Sequence, residues 1–335
     1  MKLKFSILIV GLVVMNYSSF AKIWRVNNSG GINANFTQLS TAITSTLVGN
    51  SDTIYVEASS ATYENVPDIN KSLVIIGPGY FLSNWTTPVQ YNLSSAKFSS
   101  ISATSANNVR IMGLTMDYLY ITGSNFSISR SNIGTIYFWL TVVNNINITQ
   151  NWITQVYNNY GYAATNVRIA NNIFLYGVTM GASDNGLMEY NVFNAYGGQA
   201  LNFSGGAFNF EKNIIAGTTG SITGYANVLF KYNLCGFSGL PYTTNGNQNN
   251  INMANNAVFV NNNYAALNDQ YFMLSPTSPA KTAGPGSTAI GAFAGAAPYV
   301  SSGIPPIPTI YDITIPQSTQ TGSSVIIKFS SKSNN

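Results

Sequence analysis

Glu189 and Glu211, one unit apart in an internal repeat, are the residues best placed to do chemistry in this chain. They share a column when the repeats are aligned, and Lys231 occupies it one unit later. Arg168 stands one unit before Glu189, in a neighbouring outward column. Carboxylates on adjacent rungs of a stacked sheet would lie about 5 Å apart, the spacing that retaining glycosidases use. A basic neighbour would then serve as base or charge stabiliser. The same residues also suit a solvated face, where Glu211 beside Lys231 predicts a cross-rung ion pair worth about 0–1 kcal/mol. No third acid joins the pair, so a calcium site is not expected, and no metal or other cofactor is implied.

The chain has no His and a single Cys, Cys235. This removes Ser-His-Asp and Cys-His nucleophiles, a His general base and His-ligated zinc. Cys235 falls where other repeats carry Phe174, Phe193 or Ile215, which predicts a buried, unreactive thiol. No phosphate-cradling loop or dinucleotide fingerprint is present.

Aromatic rings are the other source of binding chemistry. Tyr190, Lys212 and Tyr232 fill the column beside the glutamates and are candidate ligand contacts. Two clusters are expected, one of Tyr137, Phe138, Trp139 and Trp152, the other of Tyr157, Tyr160 and Tyr162. Such rings can stack on sugar faces, or pack the ends of rungs with their polar tips wet.

These residues are positioned by a repeat that reads apolar-x-apolar-x-x-Asn-apolar. Clear copies run from Ile146 to Asn151, Val167 to Asn172, Phe208 to Asn213, Val228 to Asn233 and Ile251 to Asn256, with a degenerate copy at Asn191. Earlier copies put Leu114 and Ser131 in the Asn slot. A period of about 20 residues means stacked units rather than one globular core. Each unit holds strands too short for helices and cannot bury its own apolar face, so it needs neighbours. Ile148, Ile169, Phe210, Phe230 and Met253 should form one inward column, with the Asn amides laddered along the stack.

Before the repeats, apolar residues at Phe36, Leu39, Ala42, Ile43, Leu47 and Val48 have the spacing of a short amphipathic helix that would cap the first rung. Strands are expected at Thr53–Val56 and Leu73–Gly77. Residues 1–21 read as a secretory signal: Lys2 and Lys4, an apolar run from Phe5 to Met15, then Ser19-Phe20-Ala21. Removing Lys2 and Lys4 from the 14 basic residues leaves 12 against 10 acids, a net charge of +2, too small to suggest a nucleic-acid surface. Charged residues are only 7% of the chain, yet 45% are apolar, which rules out a disordered polar chain. No later stretch has the length of a transmembrane helix.

Several segments resemble right-handed parallel β-helix proteins of the pectin-lyase-like superfamily. At the start these are Gln38-Leu39-Ser40-Thr41-Ala42-Ile43, Asp52 to Val56, Tyr63-Glu64 and Lys71 to Gly77; at the far end, Tyr271 to Leu274, Ser278-Pro279-Ala280, Gly284 and Ile290 to Phe293. Lys281-Thr282-Ala283 stands where the family often carries an Asp. The resemblance spans roughly residues 22–295 and implies a fold shared by lyases, hydrolases, adhesins and structural proteins.

The composition changes at Ala296. Residues 296–308 read as a Pro-rich linker, and residues 309–335 as a β-hairpin-like segment with strands at Tyr311–Ile315 and Ser324–Phe329. The expected architecture is therefore an all-β, right-handed parallel β-helix with an N-terminal helix cap and a short C-terminal β appendage. The expected role is a secreted or cell-surface scaffold, non-catalytic, offering an extended face to a polysaccharide or cell-envelope component. The alternative is a polysaccharide lyase or glycoside hydrolase built on Glu189 and Glu211.

Overall fold

A computed structural model describes residues 21–335 apart from 104–105, 159, 195–198, 218–219, 242–244, 250–254, 262–267, 317–323 and 335. The signal expected over residues 1–21 lies outside these except for Ala21, and so does the repeat segment Ile251-Asn252-Met253.

The chain winds as a parallel β-solenoid of about 9 turns. Ten parallel strands form the first sheet, in the order Ile23–Val26, Thr53–Val56, Val74–Ile76, Arg110–Met112, Phe126–Ser129, Val143–Thr149, Ala164–Ala170, Asn185–Glu189, Ala207–Glu211 and Leu229–Lys231. The second sheet alternates with it along the chain, from Lys97–Ala103 through Thr115–Ile121, Asn132–Phe138, Trp152–Tyr157 and Ile173–Thr179 to Gln248–Asn249. The opening strand Ile23–Val26 was not apparent from the repeat, because it lacks an Asn slot.

Alternation along each short strand sends every second side chain inward. Cross-rung pairing stacks Ile111, Ile128, Ile148, Ile169, Met188, Phe210 and Phe230 in one column. All are buried. Phe174 and Phe193 stack face to face at 4.8 Å in the second sheet, and Phe193 stacks on Phe210 at 5.6 Å across the core. Cys235 is buried, and burial pushes its thiol up to about 11, so it is inert at neutral pH.

Between the two sheets each rung turns at the Asn slot. Asn151, Asn172, Asn191, Asn213 and Asn233 are fully buried there. Each accepts through Oδ1 from the backbone N–H of the preceding slot and donates through Nδ2 to the next Oδ1. Nδ2 also donates to a main-chain carbonyl of an earlier rung, as in Asn191 to Ile169 at 2.9 Å. Buried amides therefore have their partners. The ladder opens at Ser131, whose N–H donates to Asn151 while its hydroxyl accepts from Leu114 N. It continues past Asn233 to Asn247, not to Asn256 as the period suggested. The shortened rung pairs Gln248–Asn249 with Leu234–Cys235, and Asn256 lies in a helical turn, Asn255–Val258.

The residue before each slot takes the left-handed conformation: Arg130, Gln150, Asn171, Tyr190, Lys212 and Tyr232 all have φ between 51° and 59°. A second left-handed column runs along the first sheet: Asn108 and Asn125 precede their strands, and Asn145 and Asn166 lie within Val143–Thr149 and Ala164–Ala170. Asn tolerates this conformation, whereas Tyr and Lys are held in it by neighbouring rungs. The strands of the second sheet bend, and pairing skips Asp117, Gly134 and Thr154 at that corner.

The predicted cap helix is confined to Leu39–Thr44, with Leu39, Ala42 and Ile43 packed into the core near Val26 and Ile54. Phe36 instead bridges to Val26 as extended chain, and Leu47 is exposed. At the other end, residues 291–310 run back along the turn edge, rung by rung. Gly291 N donates to Lys212 O, Asn171 Nδ2 to Ala292 O and Ala294 O, Gln150 Nε2 to Pro298 O, and Arg130 Nη1 to Ile304 O. Gly303 lies so close to Arg130 O that a Cβ would sit 2.2 Å from it. The segment 296–308, expected as a linker, thus lies against the solenoid, with Tyr299, Ser302 and Ile304 buried. Thr309–Thr314 and Lys328–Lys332 then pair as a two-stranded antiparallel sheet. Among the described residues no helix is long and apolar enough to cross a membrane.

Candidate functional site

The outward face of the first sheet carries the predicted charges. Ala170, Glu189, Glu211 and Lys231 occupy one column on successive rungs, as the repeat alignment required. Each carboxylate is held by a cation. Arg168 donates from Nε at 3.2 Å and Nη2 at 2.8 Å to Oε1 of Glu189. Glu211 bonds Lys212 at 2.9 Å. The expected Glu211–Lys231 pair does not form: Lys212, its chain neighbour, reaches Glu211 first because the left-handed turn swings its side chain back toward the strand. Lys231 makes none of the ion pairs found among the described residues. Burial pulls the Lys212 ammonium down, but the hydrogen bond and charge of Glu211 more than offset it and hold it above the usual lysine range.

The candidate ligand contacts Tyr190 and Tyr232 lie in the same turn column. Lys212 Nζ sits 5.1 Å over the Tyr190 ring, and the backbone of Gly295 closes on that ring's other edge. The Tyr232 ring packs against Gly246. Tyr190 and Lys212 therefore pack within the turn and against the returning C-terminal chain, and Tyr232 packs within the turn.

The second sheet presents a different surface. Tyr120, Tyr137 and Tyr157 share one outward column, and Tyr118 lies in the next. Tyr120 and Tyr137 stack nearly parallel at 5.3 Å, and Trp139 stands edge-on to both at 72°. Tyr160 completes the cluster, 4.3 Å from Trp139. Ser102, Tyr120, Tyr137, Trp139, Leu140 and Tyr160 line a groove of about 410 Å³. Leu140 at its rim is 62% exposed with φ 64°. An exposed leucine held left-handed is strained, and strain of this kind gathers at ligand-clamping positions. Burial, then the neighbouring phenols Tyr137, Tyr118 and Tyr160, push Tyr120 above its ordinary pKa, so its hydroxyl stays neutral.

This groove regroups the predicted aromatic clusters. Tyr137, Trp139, Tyr157 and Tyr160 come together, but Phe138 and Trp152 do not join them. Phe138 alternates inward and is fully buried. Trp152 is buried against Phe81 and Phe272. Tyr162 is exposed beside Asn158, to which its carbonyl offers an acceptor. Tyr118, Tyr120 and Leu140 were missed. Tyr118 and Tyr120 precede the clear Asn copies, and the corner at Asp117 resets the alternation that would have marked them as outward.

A buried polar cluster joins the C-terminal chain to the core. Oδ2 of Asp269 accepts from Tyr299 Oη at 3.0 Å and from Ser302 N, and Tyr299 Oη hydrogen-bonds Tyr80 Oη. Burial pushes Asp269 up to about 6, against the opposing pull of these donors. Among the described residues, no group of three or more His, Cys, Asp or Glu side chains could hold a metal ion.

Comparison with family models gave no match, and comparisons with curated proteins and with solved structures gave no significant one. The fold and the two faces are therefore the ground on which function is argued.

Proposed function

We propose that this protein is an exported, non-catalytic β-solenoid that binds a glycan through the aromatic face of its second sheet. The observation that carries this reading is the groove itself: Tyr120, Tyr137, Trp139 and Tyr160 converge beside a strained, exposed Leu140. Aromatic bodies with polar tips suit sugars, which offer both C–H faces and hydroxyls. The proposal includes export through residues 1–21 and the right-handed, pectin-lyase-like kinship implied by the sequence resemblance. It places the protein outside the cell or on the bacterial surface.

The enzymatic alternative rests on Glu189 and Glu211. Against it, each carboxylate is already bonded to a cation, and neither lines the aromatic groove. A glycan array combined with assays for new reducing ends and unsaturated products tests the proposal. Binding without product supports it. Product formation that depends on Glu189 or Glu211 would replace it with the hydrolase or lyase reading.

A further inference from the structure

Resting on that reading, we infer that the ligand is an uncharged polysaccharide chain laid along the solenoid axis, not an acidic glycan or a single sugar. The two sheets differ sharply in charge. Strands of the first sheet carry Arg25, Arg110, Arg168, Glu189, Glu211 and Lys231. On the second-sheet strands from Lys97 to Thr179, and on Gln199–Asn202 and Ser221–Thr223 beside them, the charged residues are Lys97 and Asp117. These two pair with each other at 3.7 Å. A uronate or sulfated chain on this face would lose water around its anions and find no free cation in return.

What the face does offer is a continuous line of neutral hydrogen-bonding groups. The register aligns Ser102, Tyr120, Tyr137, Tyr157, Thr179, Asn202 and Thr223 in one outward column. Six steps of about 4.8 Å between these seven rungs make the line roughly 29 Å long. Beside it run Ser100, Tyr118, Thr135 and Gln155. The aromatic groove occupies the first rungs and hydroxyl and amide groups the later ones. A chain of several sugars is therefore gripped at one end by rings and followed along its length by polar contacts.

The test measures affinity by calorimetry for neutral β-linked gluco-, manno- and xylo-oligosaccharides from disaccharide to hexasaccharide, with oligogalacturonates of matched length, at low and high salt. The expected result is binding by a neutral series that tightens about tenfold or more from disaccharide to hexasaccharide and is indifferent to salt. Trp139→Ala and Tyr160→Ala should each weaken it about tenfold. Their unfolding midpoints, measured alongside, separate lost contact from lost fold. Oligogalacturonate binding that is tighter and fades with salt would overturn the neutral-chain inference and leave glycan binding standing. Equal affinity for disaccharide and hexasaccharide would overturn the extended site. Failure of every glycan to bind would overturn both readings.

Discussion

Asn172 gives both its backbone N–H and its side-chain Nδ2 to a single atom, Oδ1 of Asn191, each at 3.0 Å. Asn191 repeats the arrangement toward Asn213, at 2.8 and 3.0 Å. The ladder binds each rung to the next at the turn between the two sheets, adding to the backbone bonds that the slot carbonyls accept from the following rung, such as Val192 N to Asn172 O.

Replacing Asn191 with Ala leaves the backbone N–H of Asn172 buried without its acceptor and removes the Nδ2 bonds to Ile169 O and Asn213 Oδ1. An orphaned buried group costs about 1–3 kcal/mol, and the expected loss is of that size. Asn144→Ala, at an exposed rung position that bonds Thr165 Oγ1 at 2.8 Å, should cost under about 1 kcal/mol. Urea titration of both variants checks the contrast. Similar losses in the two would deny the buried ladder its special role.

The charged face should be nearly silent. Glu189→Gln and Glu211→Gln each remove a partly exposed ion pair, and stability should change by about 1 kcal/mol or less. Glycan affinity should not move. A large loss of binding in either variant would shift the site to the first sheet.

Asp269 gives the protein an unusual pH response. Its folded pKa of about 6 lies above the unfolded carboxylate value of about 3.9, so folding favours the protonated form. The stabilisation is fully present below about pH 4 and is lost as pH rises through about 6, an effect on the order of 3 kcal/mol. Asp184, raised by burial, acts in the same sense. Asp52 is held low by Lys22 N, Trp24 and Gly49 N despite the cost of its burial, and opposes them only in stronger acid. The urea midpoint should therefore rise between pH 7 and pH 5, and Asp269→Asn should flatten most of that rise. A wild-type midpoint that falls over this range would contradict the assignment.

The returning chain should matter more than its composition suggests. Deleting residues 296–335 removes Tyr299 and Ser302 from Asp269, and Pro298 and Ile304 from Gln150 and Arg130. The left-handed turn column is then uncovered at Arg130 and Gln150, and the truncated chain should unfold at markedly lower urea or aggregate. A truncation as stable as the full chain would show this contact to be incidental.

The sequence made the stack legible because Asn151, Asn172, Asn213 and Asn233 repeat beside an inward apolar pair. That register placed Glu189, Glu211 and Lys231 on successive rungs, as found. It failed where the period changes: the short rung to Asn247 is invisible to a template of about 20 residues. Partner choice was also hidden, since only the left-handed turn at Lys212 explains why Glu211 bonds its neighbour and not Lys231. Of the aromatic groove, Tyr137, Trp139 and Tyr160 were legible as local clusters, but Tyr118 and Tyr120 escaped because the corner at Asp117 breaks strand alternation and left them no periodic signature. The C-terminal contacts are long-range, joining residues such as Gln150 and Pro298, and no local pattern encodes them.

The most direct measurement of the central claim is a glycan-binding isotherm on three proteins: wild type, Trp139→Ala and the double variant Glu189→Gln/Glu211→Gln. The account predicts that Trp139→Ala weakens binding about tenfold or more while the double variant binds as wild type does. Unchanged affinity in Trp139→Ala with loss in the double variant would place the site on the charged sheet and contradict it.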